Sequence, residues 1–187
     1  MAVYAPIRDS DGWFKGCDFI VDYYHTTTPH VKAAADVALA ATAVPLAEPL
    51  EEALITGDKV RFAPEGKAGV IVTLTADAVV GATSMTVSAT TGIIHGDTPG
   101  AKVQRGINTW TEQWKAQRGN DPAIITKTTG SGLTVTDEPN GVGRLTLAPA
   151  DTPATIEKGG YDTSLRRTDA PNAVVLAFGD AVLQVVP

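Results

Sequence analysis

Residues Ile124 to Val186 read IITKTTGSGLTVTDEPNGVGRLTLAPADTPATIEKGGYDTSLRRTDAPNAVVLAFGDAVLQVV, and this stretch decides the fold. Leu133-Thr134-Val135-Thr136 and Leu145-Thr146-Leu147 alternate around the loop Asp137-Glu138-Pro139-Asn140-Gly141. Tyr161 to Arg167, Ala173 to Phe178 and Ala181 to Val186 follow as further strands. Short alternating runs at even spacing predict an antiparallel β-sandwich. A sandwich of the immunoglobulin kind needs about seven strands, more than this stretch supplies. Two earlier segments are expected to complete it. Asp18 to Tyr24 places Phe19, Val21 and Tyr23 on one face. Asn108 to Arg118 places Trp110, Glu112, Trp114 and Ala116 on one face. Trp110 and Trp114 are also four apart, as on a helix, but Thr and Trp favour a strand.

Between those segments lies an internal repeat. Ala35-Asp36-Val37-Ala38-Leu39-Ala40-Ala41-Thr42-Ala43-Val44 aligns with Ala76-Asp77-Ala78-Val79-Val80-Gly81-Ala82-Thr83-Ser84-Met85. Each copy runs on to a Gly-Asp, Gly57-Asp58 and Gly96-Asp97, which puts His95 opposite Thr56. Lys59 to Phe62, Val70 to Thr75 and Met85 to Ser88 read as strands, and Pro64 to Lys67 as a turn. Glu48 to Ile55 is expected to form one or two helical turns, with Pro49 near the start and Gly57 as the stop. Solenoids need at least about three repeats to bury a core, so two copies predict a pseudo-twofold small β-barrel or hairpin pair. The fold class is therefore all-β. Residues 1–32 and 103–187 form a discontinuous immunoglobulin-like antiparallel sandwich, and residues 33–102 an inserted small β domain built from two repeats.

Composition narrows the function. The chain has 187 residues, 43% hydrophobic and 19% charged, with a formal net charge of −6. That balance argues against a nucleic-acid partner, which calls for clustered Lys and Arg. The pair Arg166-Arg167 reads as a solvated strand face. Cys17 is the single cysteine, so an internal disulfide and a cysteine-based zinc site are excluded. No signal-peptide pattern and no run of about 18 apolar residues occurs, so a soluble chain is expected, without membrane association.

No catalytic set emerges. There is no Gly-x-Ser-x-Gly elbow and no phosphate loop, and Gly130-Ser131-Gly132 reads as a turn. His25 and His30 flank a Thr-Pro loop and read as loop histidines. Asp9 and Asp11 fall far short of the roughly six to eight oxygens that calcium takes. Trp13, Trp110 and Trp114 suit a core better than a sugar platform. Neither a metal nor a cofactor is expected, and no enzymatic activity.

Gly-Leu-Thr-Val-Thr (132–136), Gly-Arg-Leu-Thr-Leu (143–147), Ala-Asp-Thr (150–152), Gly-Tyr-Asp (160–162), Arg-Thr-Asp (167–169) and a final Ala-Val-Leu-Gln-Val resemble immunoglobulin-like modules of tailed-phage virion proteins. The type is the N-terminal domain of upper-baseplate proteins. Ala5-Pro6-Ile7-Arg8-Asp9 followed by Phe19-Ile20-Val21-Asp22 resembles that family's opening. The run from Val72 to Asp97 resembles another phage-associated β element. The resemblance implies a virion structural protein assembled in the host cytoplasm. A capsid-decorating cement protein is the leading expectation, bound to the major capsid protein and itself a homo-oligomer, with a trimer favoured. A tail, baseplate or neck station is the alternative, and a carbohydrate-binding module is the alternative of another class. The expected interface residues are Tyr4, Pro6 and Trp13 in the N-terminal arm, and Pro64, Lys67, Ile93, His95 and Asp97 in turns of the insertion.

Overall fold

The structure, a computed structural model, describes residues 13–14, 18–27, 31–64, 69–152, 159–169 and 174–184. The strands in chain order are β1 (Trp13–Phe14), β2 (Phe19–Tyr24), β3 (Val31–Lys32), β4 (Ala43–Pro45), β5 (Lys59–Phe62), β6 (Val70–Thr73) and β7 (Ser84–Thr86). They continue with β8 (Pro99–Lys102), β9 (Glu112–Gln117), β10 (Ile125–Thr129), β11 (Gly132–Asp137), β12 (Val142–Leu147), β13 (Gly159–Arg167) and β14 (Val174–Gln184). The only helical elements among the described residues are three short 3₁₀ turns, so the fold is all-β. The chain divides into two compact units. One is Thr26–Gln104, the inserted unit. The other, the flanking unit, combines the chain up to His25 with the chain from Arg105. Sequence put the boundaries at 33 and 102, but β3 pairs with β8 and so belongs to the inserted unit.

The flanking unit is one hydrogen-bonded sheet in the order β1-β14-β13-β9-β10-β11-β12-β2. The two expected completing segments are present: β2 pairs with β12, and β9 lies between β13 and β10. The joint between β10 and β11 is short, with two paired positions. There the chain turns at Gly130-Ser131 and makes a short parallel step, with Thr128 opposite Gly132 and Thr129 opposite Leu133. Along a flat sheet β9 and β2 would lie four strand spacings apart, roughly 19 Å. Yet the Tyr23 hydroxyl on β2 donates to Oε2 of Glu112 on β9 over 2.9 Å. The sheet therefore folds over at the β10–β11 step, and its halves face each other as a sandwich. Trp114, Ile125, Leu133, Leu145, Tyr161 and Leu165 meet in one core between them.

Strand β9 alternates buried and half-buried residues, as the Trp-Glu-Trp-Ala face predicts. Strand β14 differs from expectation, because sequence breaks it at Gly179-Asp180. The two residues keep their places on the ladder, opposite Thr163 and Asp162, and the strand runs unbroken. The register shifts instead between Leu165 and Arg166, where β14 carries one extra residue between Val175 and Ala177.

The inserted unit has an internal pseudo-twofold axis. Val44 on β4 lies opposite Met85 on β7, its own counterpart in the other copy. Arg61 on β5 lies opposite Ala101 on β8, again its counterpart. The backbone bonds come in matched sets. Ala33 N–H donates to Thr98 O while Leu74 N–H donates to Asp58 O, and Ala40 N–H donates to Thr90 O while Gly81 N–H donates to Leu50 O. Each copy thus pairs with the other, and a single core holds residues from both, including Val37, Leu54, Ala78 and Ile94.

That exchange explains two departures from the sequence reading. Leu50 and Leu54 have helical spacing, but no helix forms. Their N–H groups donate across to Ala82 O and Ala78 O rather than back along their own chain. The Gly-Asp alignment also slips by one. Gly57 (φ 87°) and Asp97 (φ 61°) are the equivalent left-handed positions, their N–H groups donating to the equivalent carbonyls of Leu74 and Ala33. Thr56 therefore matches Gly96, and His95 matches Ile55. The first copy carries one extra residue between Leu46 and Leu50, and this shifts the register.

The repeat predicts which glycines matter. Gly81 (φ +86°) has nothing within 4 Å of an added Cβ, so Gly81→Ala costs only the left-handed strain, about 1–2 kcal/mol. An added Cβ at Gly100 would lie 2.6 Å from the Phe62 ring and 2.7 Å from Val31 Cγ2. Gly100→Ala is expected to cost more, about 2–3 kcal/mol. Ala40 (φ 63°) is the counterpart of Gly81, and Ala40→Gly is expected to be neutral or stabilising. Urea unfolding followed by far-ultraviolet circular dichroism checks this order.

Candidate functional site

Two features could carry function: a buried polar cluster in the flanking unit and an exposed apolar set in the inserted unit. The cluster grows from the inward faces of β2 and β9. The alternation Phe19, Val21, Tyr23 continues one step past the strand to His25, which is fully buried. Glu112 takes the inward place between Trp110 and Trp114 and is 4% exposed. His25 Nε2 lies 2.5 Å from Glu112 Oε1, and Tyr23 donates to the other carboxylate oxygen. His25 Nδ1 lies 3.2 Å from Gly141 O.

Rings close the cluster. Tyr23 lies tilted against His25 at 5.1 Å between ring centroids, and Trp110 meets His25 edge-on at 5.5 Å. Arg167 stacks its guanidinium 4.3 Å above the Trp110 ring. Asp169 holds that guanidinium by two hydrogen bonds, of 2.8 and 2.9 Å. Burial, then the Glu112 charge and its hydrogen bond, push the Tyr23 hydroxyl far above the usual tyrosine range. Gly143 makes room for Tyr23, since a Cβ there would lie 2.5 Å from the ring.

His25 is therefore a buried core partner and not a loop histidine, because its ring occupies the next inward place of β2. His30 lies outside the described residues. Extending the period-two pattern by one residue would have found His25, and Glu112 on an apolar face called for such a partner. Among the described residues, no group of three or more His, Cys, Asp or Glu side chains could hold a metal ion. No helix among them is long and apolar enough to cross a membrane.

The expected interface residues fall into three groups. Tyr4, Pro6 and Lys67 lie outside the described residues. Trp13 lies in β1, paired in parallel with β14, and its side chain is outside the description. Pro64, Ile93, His95 and Asp97 are exposed, the last three in one turn of the second copy. That turn is held from the other copy. Asp36 Oδ1 accepts the Gly96 N–H at 2.8 Å, and His95 Nδ1 lies 3.7 Å from Asp36 Oδ2. The matching Asp77 accepts the Thr56 N–H and hydroxyl at 2.7 and 2.8 Å. These bonds hold both carboxyls below the usual range.

Sequence missed the apolar side chains beside those turns. Leu39, Ile55, Val79, Val80 and Ile93 are between 55% and 69% exposed. Leu39 and Val80 are equivalent positions. Within Val37-Ala38-Leu39 and Ala78-Val79-Val80 only Val37 and Ala78 are buried, and the other residues are exposed. The tryptophans behave otherwise: Trp110 and Trp114 belong to the core and form no sugar platform. Compared with known protein families, curated proteins and solved structures, the chain has no match.

The Arg167–Asp169 pair gives a measurable titration. Its hydrogen bonds lower the Asp169 carboxyl to about 2. The contribution of a depressed carboxyl is present above the unfolded value near 3.9 and is lost as pH falls toward about 2. Carboxyl-detected NMR should place the Asp169 midpoint there, and Arg167→Met should return it toward 3.9. Gly143→Ala should cost about 2 kcal/mol, because Tyr23 must leave Glu112; a change below about 0.5 kcal/mol in chemical unfolding would contradict that placement.

Proposed function

We propose that this chain is a structural protein of a tailed-phage particle, a decoration protein that cements joints between major capsid subunits. The observation that carries the reading is the set of exposed apolar side chains on equivalent turns of the inserted unit: Leu39, Ile55, Val79, Val80 and Ile93. Exposed apolar side chains repeated on equivalent turns are candidates for an interaction site. The resemblance of the strand motifs to phage virion modules supplies the setting. On this reading the protein is a homo-oligomer, a trimer being favoured, and it resides on the virion.

The mechanism is mechanical. A specific joint buries on the order of 1,600 Å² in total, and separating the subunits must re-expose it. The exposed turns with Pro64, Ile93, His95 and Asp97 would meet the neighbours, with the apolar set giving the contact its hydrophobic part. Backbone bonds from the other copy hold the turn of Ile93, His95 and Asp97, so little order has to be gained there on docking.

Quantitative mass spectrometry of purified particles tests the assignment. Copy numbers on the order of hundreds, comparable with the major capsid protein, are expected. A handful per particle would move the protein to the tail, baseplate or neck. Leu39→Asp combined with Val80→Asp should lower particle occupancy at least tenfold while leaving the protein folded. Unchanged occupancy would remove these turns from the interface.

A further inference from the structure

We propose that the inserted unit is a two-ended clamp, which docks two neighbouring shell subunits, one at each end, across a local twofold axis of the shell. The proposal rests on the decoration reading above and adds the valence and the chemistry of the acceptor. The run from Val37 to Leu54 lies antiparallel to the run from Ala78 to Ile94. Val37 pairs with Ile94, Val44 with Met85 and Leu54 with Ala78. Val44 and Met85 mark the pseudo-twofold axis, because each is the other's counterpart. The paired run therefore has two equivalent ends. One presents Leu39 and Ile93, the other Val79, Val80 and Ile55, all of them more than half exposed.

Ends related by a twofold make equal contacts only with acceptors related by the same rotation, so the seat is a twofold between like subunits. Docking one end alone would leave the other apolar end in water. Once the first end is docked, the second binds intramolecularly, at a high effective concentration. The spacer between them is the paired run itself, held by cross-bonds such as Ala40 N–H to Thr90 O and Leu50 N–H to Ala82 O.

Charge defines the acceptor. Residues 33–58 and 73–98 carry six exposed carboxylates, Asp36, Glu48, Glu51, Glu52, Asp77 and Asp97, and neither Lys nor Arg. The described cations of the unit, Lys32, Lys59, Arg61 and Lys102, lie on β3, β5 and β8 instead. Apolar side chains framed by carboxylates fit an apolar pocket rimmed by Lys or Arg. The same charges repel a phospholipid surface or a nucleic acid.

Binding of the full-length protein to shells of the major capsid protein that lack it tests the clamp. Leu39→Asp with Ile93→Asp disables one end, and Val79→Asp with Val80→Asp the other. Each pair should weaken binding about 100-fold, and all four substitutions together should abolish it. A loss of less than about tenfold for either pair overturns the clamp while leaving the decoration reading in place. A wild-type protein that does not bind the shells overturns both. Wild-type binding should weaken as sodium chloride rises from about 0.05 to 0.5 M, and binding that salt does not weaken overturns the basic acceptor. Far-ultraviolet circular dichroism checks that the variants fold. Where they do not, an electron cryomicroscopy map of shells decorated with the wild type decides. The inserted unit should lie across a local twofold with both ends in contact, and contact through one end alone overturns the clamp.

Discussion

Glu112 sits on the inward face of β9, between Trp110 and Trp114, where an apolar side chain would otherwise pack. A carboxylate in such a place is costly unless partners and hydrogen bonds surround it. The partners arrive from the far edge of the sheet. Tyr23 of β2 takes one oxygen, and His25, just past β2, takes the other. Neither can reach Glu112 unless the sheet folds over at the β10–β11 step. The same contact fixes register. A one-residue slip of β2 against β12 would turn Tyr23 to the outside and leave Glu112 unpaired. The requirement of one buried carboxylate thus selects both the closure of the sandwich and the alignment of its edge strand.

The inserted unit meets a different constraint. Its side chains are small, and Phe62 is its only aromatic residue. Neither copy gathers enough apolar surface to close a core alone, and neither satisfies its own backbone. Exchange between the copies solves both problems together. Leu54 and Ala78 trade backbone hydrogen bonds, as do Val37 and Ile94, and all four side chains enter the shared core. Asp36 and Asp77 extend the exchange to the surface by capping a turn of the opposite copy.

Period-two alternation made most strands legible, including β9 with Trp114, because burial on one face leaves its mark in the sequence. The insertion was legible through the repeat. Three features were not, and each is non-local. The Leu50–Leu54 spacing imitates a helix, and only the acceptors at Ala82 and Ala78 decide against it. The offset between Gly57 and Asp97 hides a one-residue difference, because aspartate tolerates the left-handed conformation almost as a glycine does. His25 looked like a loop residue because the Thr-Pro segment after it signals a turn. Its burial depends on Glu112, 87 positions further on. Of the candidate interface residues, Ile93, His95 and Asp97 lie on an exposed turn, while Leu39 and Val80 were read only as repeat positions.

The two units divide the chain's resources unevenly, and this bears on the exposed apolar turns. In the flanking unit Tyr23, Trp110, Trp114 and Tyr161 enter one enclosed core. The inserted unit keeps its core of small and medium side chains while leaving Leu39, Ile55, Val79, Val80 and Ile93 in water. Full burial of one such side chain is worth about 1.5–3 kcal/mol. The inserted unit's own fold does not collect that energy: Leu39 and Val80, each followed by a left-handed residue, Ala40 or Gly81, stay exposed. A partner surface can collect it. The duplicated architecture therefore holds in reserve, on equivalent turns, the apolar area that its own core cannot use.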